Sequence, residues 1–95
     1  MKVFICAVKD ELTETFYNPV FIDERQILRL FEAQINHTIW RDNPSDYSMY
    51  KLGEFDEKTG EITPHIEKIA GGRSVWRKDI QDDLFSTEQT GNNTK

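Results

Sequence analysis

The residues best suited to chemistry in this chain are Trp76 and the cations around it, Arg73, Arg77 and Lys78, with Lys68 a little upstream. An indole ring offers a face on which an unpaired base stacks, and guanidinium and ammonium groups pair with phosphate. Together they fit single-stranded nucleic acid. The plainer reading is that Trp76 anchors the end of the chain on the domain while the cations are solvated. Tyr47 and Tyr50, with Lys51, pose the same choice between a base-stacking sheet face and ordinary core and edge packing.

Catalytic patterns are missing from the sequence. His37 and His65 have no neighbour at metal-ligand spacing, and one cysteine, Cys6, supplies neither a cysteine zinc site nor an internal disulfide. Cys6 lies in an apolar run, which suits buried filler better than a thiolate nucleophile. The segment Asp56-Glu57-Lys58-Thr59-Gly60 resembles half of a calcium loop, but a hairpin turn explains it. No phosphate-cradling glycine loop and no nucleophile elbow occur. The expectation is a protein that is not an enzyme and carries no cofactor or metal.

Charge narrows where a nucleic acid would sit. The chain has 95 residues and a net charge of −5. Residues 1–64 carry 7 basic against 12 acidic side chains, residues 65–78 carry 4 against 1, and residues 79–95 carry 1 against 4. An acidic protein repels nucleic acid as a whole, so any contact is expected to be local, and 65–78 is the only stretch dense in cations. The length suits one domain. No apolar run reaches the ~18 residues of a membrane span, and the stretch 3–8 is too short for a secretory signal. A single cysteine fits a reducing compartment.

The elements that position these residues follow from pattern. Residues 2–8 form a continuous, partly β-branched apolar run, which predicts a strand covered on both faces or a central strand of a small sheet. Asn18-Pro19 marks a turn before a short extended piece, Val20-Phe21-Ile22. Asp23 caps a helix over 23–37, with Gln26 at capping-box spacing, and Ile27, Leu28, Phe31 and Ile35 are expected to face the sheet. A hairpin follows, with strands over 47–55 and 61–66 joined through Asp56 and Gly60. If Asp56 faces Glu61, then Tyr47, Met49, Gly53, Phe55, Ile62 and Ile66 share one face, with Lys51 near its edge, and Tyr50, Leu52, Thr63 and His65 the other. Pro64 places its strand at an edge or ends it. Beyond Gly71-Gly72, Ser74 caps a short amphipathic helix with Val75, Trp76, Ile80, Leu84 and Phe85 on one side.

The resulting fold class is α+β: a small antiparallel sheet, made of an N-terminal strand and a C-terminal hairpin, packed against one main helix. The organisation is an α+β domain over 1–69, an appended basic and amphipathic segment over 70–85, and a disordered polar tail over 86–95.

The run Asn43-Pro44-Ser45-Asp46-Tyr47, then Tyr50, Gly53-Glu54-Phe55-Asp56 and Thr59-Gly60, resembles the signature of a small nonstructural protein of gokushoviruses. These are single-stranded DNA phages of the Microviridae, and the protein is the product of their fifth open reading frame. The likeness spans about residues 1–66. It implies a phage protein made in the host cytoplasm, outside the main capsid and described as DNA-binding. Its implied role lies in the switch from double-stranded replication to single-stranded genome synthesis and packaging. Gly53, Phe55, Asp56, Thr59 and Gly60 carry over as determinants of the hairpin and assign no binding site.

Two functions stay open at this point. One is a DNA-binding accessory factor, contacting single-stranded DNA through Lys68, Arg73, Trp76, Arg77 and Lys78. The other is an interaction module for a phage replication or procapsid protein, docking through the apolar side of 75–85 or an open sheet edge. A spare edge strand also suits a homodimer.

Overall fold

The computed structural model describes residues 2–78. Five antiparallel strands form one sheet: β1 (Lys2–Asp10), β2 (Thr15–Phe16), β3 (Val20–Ile22), β4 (Tyr47–Asp56) and β5 (Ile62–Gly71). β1 is central. β2 and β3 share one of its edges, β4 takes the other, and β5 lies outside β4. Since β3 and β4 both run against β1 on opposite sides of it, they point the same way. The chain between them must therefore cross one face of the sheet, and α1 (Ile27–Asn36) makes that crossing.

Asp23 starts the helix as the sequence predicts. Its Oδ1 accepts from the Arg25 backbone N–H at 2.8 Å, and the Arg25 guanidinium and this N–H hold its carboxyl below the usual range. A 3₁₀ turn over Glu24–Gln26 leads in, and Ile27, Phe31 and Ile35 are buried. They meet Cys6, Val8 and Met49 in the core, with Phe4, Leu30, Trp40, Tyr47 and Ile69 packed around them. Leu28 departs from expectation: it is 52% exposed, because the buried stripe runs through 27, 31 and 35 and leaves position 28 on its flank.

The hairpin is also as read. The Asp56 N–H donates to the Glu61 carbonyl at 2.9 Å, the Gly60 N–H donates to the Asp56 carbonyl at 2.7 Å, and Phe55 pairs with Ile62. Gly60 has φ +80°, a conformation that favours glycine. The expected division of faces does not hold. Along β1 the register passes from Ile5↔Gly53 to Cys6↔Lys51, so Leu52 is an extra residue on β4 and reverses the alternation beyond it. Tyr47, Met49 and Lys51 therefore lie on the helix side, while Gly53 and Phe55 share the far side with Tyr50.

β5 continues past Pro64 to Gly71 as an edge strand. Glu61 turns its carbonyl toward β4, and backbone direction alternates along a strand. Pro64 consequently faces the free edge, where its missing N–H takes nothing from the ladder.

α2 (Gly72–Val75) is a single turn in which the Ser74 hydroxyl donates to the Gly71 carbonyl at 2.7 Å. Ser74 thus lies inside the turn and Gly71 takes the cap position expected for it. Ile80, Leu84, Phe85 and the polar tail expected over 86–95 lie outside the described residues. Among the described residues no helix is long and apolar enough to cross a membrane.

Candidate nucleic-acid interface

Two surfaces bear on binding: the far face of the sheet and the segment after β5. On β1, Phe4, Cys6 and Val8 point to the helix, so Val3, Ile5, Ala7 and Lys9 point away. Their partners share that side. Phe16 lies opposite Lys9, Phe21 opposite Ile5, Tyr50 opposite Ala7 and Phe55 opposite Val3. β5 adds Ile62, Pro64 and Lys68 through their pairing with Phe55, Gly53 and Tyr50. Alternation puts Ile66 there as well.

No helix of the described residues packs on this face, and its rings cover the sheet themselves. Phe16 meets Tyr50 edge to face with centroids 5.5 Å apart, and Phe21 meets Phe55 likewise at 5.3 Å. Ile5 and Ala7 are buried beneath them, whereas Phe16 is 42% exposed, Phe21 56% and Ile66 68%. At one end Lys9 Nζ stands 5.7 Å from the Phe16 centroid and 5.5 Å from that of Tyr50. Glu11 is close by, 3.8 Å from Lys9 Nζ and accepting from the Tyr50 hydroxyl at 3.4 Å. Aromatic faces beside a cation are suited to stacking a base and holding its phosphate.

The segment after β5 is arranged differently from the expected cluster. Trp76 is half-buried against the core. The Arg41 guanidinium sits 4.9 Å from its ring centroid, and its Nε1 is buried with no partner among the described residues. Arg77 pairs with Glu32 at 2.8 Å. Arg73 and Lys78 are exposed, as is Lys68, which joins the far face. The five residues therefore do not form one site: the indole packs inward, one arginine is engaged with α1, and Lys68 borders the aromatic sheet.

Tyr47 and Lys51 also take structural places. Trp40 stacks on Tyr47 at 4.8 Å and lies tilted against Tyr17 at 4.9 Å. Burial lifts the Tyr47 hydroxyl above its ordinary pKa, with Tyr17, Asp10 and Asp46 adding to the shift. Lys51 Nζ donates to Glu54 at 2.8 Å and sits 4.1 Å above the Phe4 ring. Tyr50 is the member of the sequence-read set that does reach the open face. No cluster of three or more metal-ligating side chains occurs among the described residues.

A family described as phage ORF5 protein matches residues 3–75, the sheet, α1 and α2 together. The chain belongs to the phage ORF5 protein family. Neither a curated protein nor a solved structure matches it. The match to this phage ORF5 protein ends one residue before Trp76, so it takes in the aromatic face and leaves out Trp76, Arg77 and Lys78.

Phe16 and Phe21 were not singled out by their sequence. The signal available was the unbroken apolar run of β1. Such a run needs cover on both faces, one helix covers only one, and the second cover falls to neighbouring aromatic residues.

Proposed function

We propose that this phage ORF5 protein is a non-catalytic, DNA-binding accessory factor acting in single-stranded genome synthesis or packaging in the cytoplasm of the infected cell. The observation that carries this reading is the sheet face on which no helix of the described residues packs, set with Phe16, Phe21, Tyr50 and Phe55 and bordered by Lys9 and Lys68. Single-strand binders commonly stack bases on aromatic residues of an antiparallel sheet. Exposed Lys68, Arg73 and Lys78 support phosphate contacts, and membership of a phage family supports the setting. The test is fluorescence anisotropy with a labelled single strand and its duplex over a salt series. Binding that weakens with salt, and weakens further in a Lys68→Glu, Arg73→Glu variant, is expected. No anisotropy change at low salt rejects the reading.

One observation favours a second reading, an interaction module for a phage replication or procapsid protein. The hairpin end of the same face, with Phe21, Ile62 and Ile66, is apolar and strongly exposed. A complex from infected cells that survives nuclease and is lost on Ile66→Ser would support it.

A further inference from the structure

We infer that the far face of the sheet is a two-site platform that holds single-stranded DNA by two separated bases, one at Phe16 and Tyr50, the other at Phe21 and Phe55. This rests on the DNA-binding reading and deepens it. Phe16 lies opposite Lys9 and Phe21 opposite Ile5, four residues apart on β1. At the strand rise of ~3.3 Å that is about 13 Å. Successive bases stacked in a duplex strand are only about 3.4 Å apart. Bases resting on both ring pairs are therefore unstacked from each other, which a single strand permits and an intact duplex does not.

The cations set the polarity of the site. Lys9 Nζ stands over both the Phe16 and Tyr50 rings, 5.7 and 5.5 Å from their centroids, and Lys68 stands opposite Tyr50. Both are at one end, so a phosphate next to the first base meets them while the second base rests on an apolar pair. Glu11 competes for Lys9 at 3.8 Å, and an arriving phosphate takes over that contact. The two platform cations together contribute about −1.4 to the slope of log affinity against log salt on a single strand, on top of the share of Arg73 and Lys78.

The experiment is anisotropy with oligothymidylates of two to twelve nucleotides and with a duplex, using wild type, Phe16→Leu, Phe21→Leu and Glu11→Gln. Leucine keeps apolar cover over Ile5 and Ala7, and thermal melts confirm that each variant folds. Each phenylalanine variant should lose roughly 5- to 100-fold in affinity for the longer oligomers. Affinity should rise steeply until the strand reaches both ring pairs, and Glu11→Gln should bind more tightly. Equal affinity for duplex, or single-strand binding unchanged in either folded phenylalanine variant, overturns the two-site platform while leaving DNA binding intact. Absence of any DNA binding overturns both readings. Wild-type self-association that Phe21→Leu abolishes, without DNA binding, assigns the face to a second copy instead.

Discussion

Asn36 fixes Trp76 by bonding the backbone on both sides of it. The Asn36 Nδ2 group donates to the Val75 carbonyl at 2.9 Å, and its Oδ1 accepts the Arg77 N–H at 2.7 Å. A buried side chain thus pairs with the segment as a neighbouring strand would. Its second Nδ2 bond goes to the Glu32 carbonyl at 2.8 Å, and Arg41 Nη1 completes Oδ1 at 3.0 Å. Asn36→Leu strips partners from several groups at once and should cost about 2–4 kcal/mol. Urea denaturation with an unchanged m-value checks this.

Trp76 should matter for stability more than for DNA. Its ring is packed against the core and covered on one side by Arg41. Trp76→Phe removes the buried Nε1 together with part of the packing, and should lower stability by about 1–2 kcal/mol. DNA affinity, by anisotropy, should change by no more than about twofold, well below the effect of losing a stacking ring.

Adjacent glycines should respond in opposite ways. A Cβ on Gly72 would collide with the Pro44 carbonyl oxygen and press on Ile35, whereas one on Gly71 meets nothing within 4 Å. Gly72→Ala should cost about 2 kcal/mol or more, since backbone must move. Gly71→Ala should be neutral or slightly stabilising, because it restricts the unfolded chain. Paired thermal melts read the contrast.

Cys6 should make the fold sensitive to alkali. Burial pushes its thiol from 9.0 up to about 11, against a smaller downward pull from the Lys51 charge. Above pH 9 the unfolded chain gains a thiolate that the folded chain resists forming. The stability tied to the protonated thiol is therefore complete below pH 9 and is lost as pH rises toward 11. Urea midpoints between pH 8 and 10.5 should fall more steeply for wild type than for Cys6→Ala. In native protein at pH 8, a thiol-reactive dye should label Cys6 only at the rate of opening.

The Lys51–Glu54 pair should be asymmetric. Lys51 is buried, and its ammonium is held by Glu54 and the Phe4 ring. Lys51→Met keeps the length and apolar contact and should change stability by less than about 1 kcal/mol. Glu54→Ala leaves the ammonium without its carboxylate and should cost more, about 2–3 kcal/mol, by the same denaturation assay.

Local chemistry made much of the fold legible. Asp23 starts the helix, Asp56 and Gly60 turn the hairpin, and the apolar run of residues 2–8 is a strand, because each signal acts over a few residues. The faces of β4 were not legible, since Leu52 differs in no way from a regular strand residue until its partner strand is known. The place of Trp76 was hidden for a related reason. Its anchors, Asn36 and Arg41, lie 40 and 35 residues back in the chain, and neither carries a motif. Tyr50 and Lys68 stand out by side-chain type alone. Phe16 and Phe21 needed the pairing with β1 to become a surface.

Pro64 has a consequence for crowding. With its ring at the open border of β5, another extended chain laid alongside finds, near the start of that border, a carbonyl and no donor to answer its own. The sheet therefore stops at its own last strand, and copies held at high local density can stand side by side without zipping into a fibre.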